Sequence, residues 1–219
     1  MGSRIRIDVT RPLVTVLLEG SSGSGSMDAG SWRSLAETFR ALSERRDVSA
    51  VVVRGTVGGA PVVVAADGDV AGLRGTTRLP EIDEALAAVR ACRHPTVAVI
   101  EGLCVGADLE IAACCDLRVC GESSRLGAPI ERAEGPTDDV DPLEHLLGAS
   151  PALEALHGGD MMDATRARTF GLVSHVHPDA AVVEHAYRLA ASVAAGAPLV
   201  NRWHKKMVQR LSERPRSAD

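Results

Sequence analysis

Aromatic side chains and lysines are scarce in this chain. Phe, Trp and Tyr make up 2% of its 219 residues, so few rings are available for stacking against nucleic-acid bases. The core therefore has to be built from Ala, Val, Leu and Ile. Lys205 and Lys206 are the only lysines, and the formal net charge is -5. Because binding to a phosphate backbone needs a basic face, this balance argues against nucleic acid as a partner.

Long apolar runs, a signal sequence and paired cysteines are also lacking. No apolar run approaches the roughly 18 residues that would indicate a membrane span. At the N-terminus, Ile5, Ile7 and Val9 alternate with polar residues, which is typical of a strand and not of a signal peptide. The five cysteines include no C-x-x-C pair. We therefore expect reduced thiols, a cytoplasmic location and no membrane partner.

The pattern of apolar residues predicts a single α/β domain. Apolar runs predict strands, and helical spacing predicts helices between them, the first with Ser31 as its N-cap. Residues 131–144 are irregular and acidic. Strands that alternate with helices favour βαβ units and a largely parallel sheet. The predicted strands lie at 4–10, 12–19, 49–54, 61–65, 96–100 and 117–120, and the predicted helices begin at 31, 80, 108 and 199.

Motifs of several common enzyme classes are absent. The chain has no G-x-S-x-G, no G-x-G-x-x-G, no P-loop and no H-E-x-x-H, so serine hydrolases, dinucleotide-binding enzymes, NTPases and zinc proteases lack support. His175 and His177, spaced by two, indicate the edge of a sheet more than a metal site.

Several segments, in order, resemble the crotonase (enoyl-CoA hydratase/isomerase) superfamily. The clearest is GADLEIAACCDLR at 106–118, which is similar to the family's GGG-x-E-LAxx-CD-x-R helix. HPTVAVIEG at 94–102 resembles the strand that precedes this helix. VVVRG, ADGDV, RLGAP and ATRARTFGLV resemble further family segments and begin at residues 51, 66, 125 and 164.

This resemblance implies a fold, an assembly and a class of ligand. The fold would be the ClpP/crotonase α/β spiral of ββα units, with a core over 1–150 and a C-terminal helical trimerisation region over 151–219. The protein would form homotrimers or hexamers and bind an acyl-CoA thioester. Coenzyme A would then be part of the substrate, and neither a separate cofactor nor a metal is expected.

The resemblance also assigns an oxyanion hole to two backbone amides. By position in the family motifs, the N–H groups of Ala66 and Ala107 would donate to the thioester oxygen, which gains negative charge during the reaction. The helix that begins near Ala107 adds its positive N-terminal dipole. Asp108 is a complication, because a carboxylate there would repel an enolate. The alternative interpretation is a Gly/Ala turn that only lets a strand and a helix pack closely.

Glu110 matches the first catalytic glutamate of the hydratases. Its neighbours Leu109 and Ile111 suggest partial burial, which could raise its pKa toward a useful acid/base range. The alternative is a first-turn glutamate that only stabilises the helix dipole.

The second family glutamate follows a proline directly, whereas here Ile130 follows Pro129 and Glu131 comes one residue late. In an extended segment, one step reverses the side-chain direction. Efficient hydration is therefore doubtful, although Glu134, Asp138, Asp139 or Asp141 could substitute unless the whole loop is simply solvated.

Lys205 and Lys206 lie where the family has a lysine-bearing C-terminal helix, and they are the candidates for binding the CoA phosphates. A solvated helix face is the alternative. Three functions stay open: an enoyl-CoA hydratase or isomerase, a non-catalytic subunit that assists another acyl-CoA enzyme, and another reaction of thioesters on the same scaffold.

Overall fold

The computed structural model of the chain describes residues 4–19, 27–55, 79–105, 107–127, 142–148, 151 and 161–212. The predicted strand at 61–65 lies outside these residues. Among the described residues, no helix is long and apolar enough to cross a membrane.

A six-stranded sheet forms the centre of the molecule, with the strand order β1-β2-β3-β4-β6-β9, and a smaller sheet has the order β5-β7-β8. β1 and β2 pair in antiparallel fashion, and the remaining pairs of the large sheet are parallel. The strands are β1 Arg4–Thr10, β2 Leu13–Glu19, β3 Ala50–Gly55, β4 Thr96–Ile100, β5 Leu103–Val105, β6 Leu117–Gly121, β7 Arg125–Gly127, β8 Met162–Asp163 and β9 His175–His177.

Helices cover both faces of the large sheet. They are α1 Ala29–Glu44, α2 Pro80–Arg90, α3 Ala107–Cys114, α4 Pro142–Leu147, α5 Ala164–Thr169, α6 Val182–Ala194 and α7 Pro198–Ser212. The predicted alternation of strands and helices and the largely parallel sheet are confirmed. His175 and His177 lie on β9 at the edge of that sheet, as predicted.

The apolar strands bury side chains on both faces, as expected for a parallel sheet. Val51 and Val53 of β3 belong to the main core with α1, α2 and α3. Val52, between them, points to the opposite face and packs in a second cluster with Val182 and Ala186 of α6. Successive residues of a strand point to opposite faces, so one run of valines supplies both layers.

Two local predictions were wrong. α1 begins at Ala29, and its N-cap is Asp28, whose Oδ1 accepts bonds of 2.7 Å from the backbone N and the Oγ of Ser31. Ser31 therefore lies inside the first turn, because Asp28, three residues earlier, caps the helix by accepting from the Ser31 amide. Residues 142–144, predicted as irregular, begin helix α4, for which Pro142 suits the first position.

Candidate functional site

Helix α3 begins just after the short strand β5, and its first turn carries Ala107, Asp108 and Glu110. Between β4 and β5 the chain turns at Gly102, which has a φ of 81°, and the Gly102 carbonyl accepts a bond of 3.0 Å from the Arg125 amide. This left-handed conformation favours glycine. The turn fixes β5, and α3 follows it directly.

Ala107 is the first residue of α3. The N–H groups in the first turn of a helix have no acceptor within that helix and point along its axis. Such amides, together with the helix dipole, can stabilise negative charge on a ligand. The second predicted oxyanion donor, Ala66, lies outside the described residues, so the proposed pair of amides stays a prediction.

Glu110 lies one turn into α3 and is 2% exposed. Leu109 and Ile111, its neighbours, are each 1% exposed. The burial that the sequence indicated for this carboxyl group is therefore confirmed. Burial favours the neutral form of a carboxylic acid, while the helix dipole opposes this.

Asp108 occupies a different face of the same turn. Residues two apart on a helix point about 200° apart, so its side chain does not share the face of Glu110. The charge of Asp108 is close enough to raise the pKa of the Cys104 thiol on β5, second to the effect of burial. Asp108 therefore faces the interface between α3 and the strands.

Burial raises the pKa of Asp108 to about 8. The residue as a whole is half-buried, but its Oδ1 is fully buried and has no hydrogen-bond partner among the described residues. With this pKa the side chain is mostly protonated at pH 7. The neutral form carries no charge, so burial lessens the repulsion of an enolate that the sequence predicts.

The predicted second carboxylate, Glu131, lies outside the described residues. The same is true of the alternatives, which are Glu134, Asp138, Asp139 and Asp141. Their roles stay predictions.

Lys205 of α7 is bound within the chain. Its Nζ lies 2.7 Å from Oδ2 of Asp116 and donates to the His94 carbonyl at 3.1 Å. Its side chain is 6% exposed. Oδ2 of Asp116 also accepts bonds from the backbone N and the Oγ1 of Thr96, at 2.7 and 2.9 Å. Lys205 therefore ties α7 to the starts of β4 and β6, while Lys206, the other predicted CoA-binding lysine, is exposed.

The aspartate and arginine of the CDLR motif have structural partners. Asp116 joins β4, β6 and α7 as just described. Arg118 is 5% exposed, and it donates to the carbonyls of Leu172, at 2.6 Å, and of Cys115. These bonds fasten the segment before β9 to the end of α3. The motif thus holds α3 in place. Glu110 of α3 is the residue whose side chain matches a catalytic position of the family.

Sequence reasoning did not identify the protonated state of Asp108 or the internal partner of Lys205. The first has no local signal, because an acid in a first helical turn is ordinary. The partner of Lys205 is Asp116, which lies 89 positions earlier (205 − 116) and so leaves no local pattern. Among the described residues, no three His, Cys, Asp or Glu side chains are arranged to hold a metal ion.

Comparison with known proteins gives the family. The family model described as enoyl-CoA hydratase/isomerase matches residues 24–218. A solved enoyl-CoA hydratase/carnithine racemase from Magnetospirillum magneticum is 33% identical and has a TM-score of 0.83, with coverage of 95% of this chain and 81% of that one. A family protein from Hyphomonas neptunium, 24% identical over 97% of this chain and 84% of its own, has the same fold at a TM-score of 0.82.

The curated relatives match this chain over a smaller share of their own length. The 2,3-dehydroadipyl-CoA hydratase of Escherichia coli is 29% identical, over 82% of this chain and 71% of its own. The human mitochondrial methylglutaconyl-CoA hydratase is 27% identical, over 84% and 56%. The Dictyostelium discoideum dienoyl-CoA isomerase is 30% identical, over 51% and 39%. This chain thus spans between about two fifths and seven tenths of the length of these relatives.

The order of the motifs, the sheet topology and these matches agree, and the protein belongs to the enoyl-CoA hydratase/isomerase family of the crotonase superfamily.

Proposed function

We propose that the protein binds an acyl-CoA thioester and stabilises its enolate with the backbone amides of Ala66 and Ala107. Glu110 then serves as the acid/base that transfers a proton to or from the acyl chain. The observation that carries this proposal is a buried glutamate, 2% exposed, one turn inside the helix that Ala107 begins. A carboxyl group out of water and beside an oxyanion site is suited to proton transfer near neutral pH.

Hydration of crotonyl-CoA, followed by the loss of absorbance of the conjugated thioester, tests the catalytic role. Glu110→Gln keeps the shape of the side chain but cannot accept a proton, so we expect kcat to fall by about 100-fold or more. Glu122→Gln, an exposed glutamate on the turn after β6, is the matched control. A Glu110→Gln protein that retains the wild-type rate would refute the mechanism.

Acetoacetyl-CoA tests the oxyanion hole without requiring turnover. Two amides that converge on the thioester oxygen stabilise the enolate of this ligand, and we expect a new ultraviolet absorbance band when the protein is added. The absorbance band therefore reports on the two amides, whether or not Glu110 supports turnover. Binding without any enolate band would count against the role of Ala66 and Ala107.

A second candidate is a non-catalytic subunit that assists another acyl-CoA enzyme. The specific observation in its favour is the displaced second glutamate, with Ile130 where the family has the acid. In that case the wild-type protein would bind acetoacetyl-CoA and yet leave crotonyl-CoA and dienoyl-CoA substrates unchanged. Turnover by the isolated wild-type protein would exclude this alternative.

Self-association into homotrimers or hexamers completes the proposal. Helix α7 exposes large apolar side chains on one face, among them Leu199 at 77%, Trp203 at 61% and Met207 at 39%, because residues four apart lie close together around a helix. An apolar strip of this kind on one helix is typical of an interface. Light scattering coupled to size-exclusion chromatography should give three or six times the chain mass of 22.9 kDa, and a monomer would contradict the proposal.

The predicted contact with the CoA phosphates rests on Lys206. Because Lys205 already neutralises Asp116, the exposed Lys206 is the lysine whose charge is available for a phosphate. We expect Lys206→Met to raise KM for crotonyl-CoA with little change in kcat, since it removes binding that is the same in the ground state and the transition state.

A further inference from the structure

Three histidines meet on the face of the large sheet that α6 covers. β9 pairs in parallel with β6, so that His175 lies beside Val119 and His177 beside Gly121. Val119 belongs to the cluster under α6, and paired residues of neighbouring strands point to the same side. His175 and His177 therefore face α6, which contributes His185.

The three rings are close together. The ring centroids of His177 and His185 are 3.6 Å apart with their planes 1° from parallel, and those of His175 and His177 are 6.2 Å apart. Arg188, about one turn further along α6, has its Nη2 2.7 Å from Nδ1 and 3.0 Å from Nε2 of His185. A guanidinium group can only donate hydrogen bonds, so the unprotonated nitrogen of the neutral His185 ring accepts, and the tautomer decides which nitrogen that is.

These side chains surround an open cavity of about 370 Å³, which we call the histidine pocket. Its lining residues are Val119, His175, His177, His185, Arg188 and Leu189. The lining therefore combines three imidazoles and a guanidinium with two aliphatic walls, and no carboxylate of the described residues is part of it. Each neutral imidazole offers one hydrogen-bond donor and one acceptor, and the guanidinium offers donors only, so donors outnumber acceptors.

The charged groups around the histidine pocket leave it electropositive. Glu184 of α6 lies 3.7 Å from Nε of Arg188, with its own side chain 73% exposed, so solvent weakens that pair. Asp179, before α6, is held by the Ser123 amide at 3.1 Å. Arg168 of α5 adds positive charge near His177.

The pKa of His177 reflects these surrounding positive charges. Its pKa is lowered from 6.5, first by burial and then by the charges of His185, His175, Arg188 and Arg168. All four neighbours repel a proton on this ring. A negative ligand in the cavity would reverse the repulsion, because it would be attracted to each of the same groups.

We propose that the histidine pocket binds a small oxyanion, a carboxylate or phosphate group, between His177, His185 and Arg188, and takes up a proton as it does so. Arg188 provides a planar fork suited to such a group. A neutral imidazole offers one N–H, whereas an imidazolium offers two and a charge. Affinity therefore increases as the pH falls. The cluster lies on the face of the sheet that α6 covers, whereas α3 and Glu110 belong to the opposite face. This site is therefore separate from Glu110.

A metal ion is the competing ligand for a histidine cluster. The stacked rings of His177 and His185 argue against it, because lone pairs in two parallel planes do not converge on one point between them. No set of three potential ligands in the described part of the chain has suitable geometry either.

Sulfate is the appropriate first probe, because its charge does not change between pH 6 and pH 8. The full-length protein, labelled with carbon-13 in its histidine rings, is titrated with sulfate at fixed ionic strength. We expect saturable shifts of the signals of His175, His177 and His185, with binding at least about fivefold tighter at pH 6.0 than at pH 8.0. The signals of the buried His94 and the exposed His204 should not move.

Two variants separate specific binding from general attraction. Arg188→Gln should weaken sulfate binding by about tenfold, the loss expected for a hydrogen bond between charged groups. Arg33→Gln is the matched control, because its side chain is 61% exposed against 60% for Arg188, and each pairs with one glutamate. Arg33 lies on α1, which covers the other face of the sheet.

Acetate and phosphate, titrated separately at pH 6.0, distinguish a carboxylate from a phosphate as the natural group. Equal sulfate affinity at both pH values, equal affinity in Arg188→Gln, or no saturable shift at all would overturn the proposal. Saturation of the same three signals by micromolar Zn²⁺ in preference to sulfate would also overturn it, in favour of a metal site.

Discussion

The buried acid Asp108 gives the sharpest test of the structure. Its Oδ1 has no hydrogen-bond partner in the part of the chain that the structure describes, and its pKa is raised from 3.8 to about 8 by burial. In the unfolded chain the same group is ionised above pH 4. Folding at neutral pH therefore requires the uptake of a proton, and this uptake costs free energy.

The sign and the size of the effect follow from linkage. A group whose pKa is higher in the folded state binds more protons there, so stability falls as the pH rises from about 4 to about 8. Each pH unit in that window costs ~1.4 kcal/mol. Between pH 5.0 and pH 7.5 the contribution of Asp108 thus becomes less favourable by ~3 kcal/mol.

Asp108→Asn has the same shape and carries no charge at any pH. The variant should therefore gain stability over the wild type as the pH rises, and the gap between their free energies of unfolding should grow by ~3 kcal/mol from pH 5.0 to pH 7.5. Urea unfolding at equal protein concentrations measures that gap. Asp8→Asn, which removes an exposed carboxylate from β1, controls for the change in net charge. A gap that is the same at both pH values would refute the assignment of a protonated Asp108.

Two further predictions concern groups buried near α7. Lys205→Met breaks the 2.7 Å pair with Asp116 and leaves that carboxylate without its cation, so urea unfolding should show a loss of ~2–3 kcal/mol; Lys206→Met should change stability by less than ~0.5 kcal/mol, and equal losses in the two variants would contradict the structure. His94 is 1% exposed, and its pKa is lowered from 6.5, first by burial and then by the charge of Arg202. It binds fewer protons when folded, so the stability it contributes is present above pH 6.5 and is lost as the pH falls below that value. His94→Gln should therefore flatten the dependence of the unfolding free energy on pH between 6.5 and 5, and an unchanged slope would contradict this account.

Much of the fold could be predicted because its elements are coded by local patterns. The runs of valine and isoleucine at β3 and β4 have no polar interruption, and a strand that is buried on both faces requires such a run. Leu86 and Val89 are both buried on one face of α2, as the helical spacing of the sequence predicts. Burial of Glu110 followed in the same way from its apolar neighbours.

Helix ends were less predictable, because more than one residue can serve as a cap. Asp28 and Ser31 are both good N-cap residues, and which one begins α1 depends on how the chain enters the helix. The same limitation applies to Pro142, where an acidic stretch concealed the start of α4.

The sequence by itself determined the family, the order of the longer strands and helices, and the helix that carries Glu110, because apolar periodicity and motif spacing are local properties of the chain. Only the tertiary structure decided that Lys205 is paired with Asp116, that burial raises the pKa of Asp108, and that His185 stacks on His177. Each of these depends on how separate helices and strands pack against one another, which decides where water is excluded and which side chains meet. Such solvent exclusion and close charge contacts arise only once the sheet and its helices have packed together.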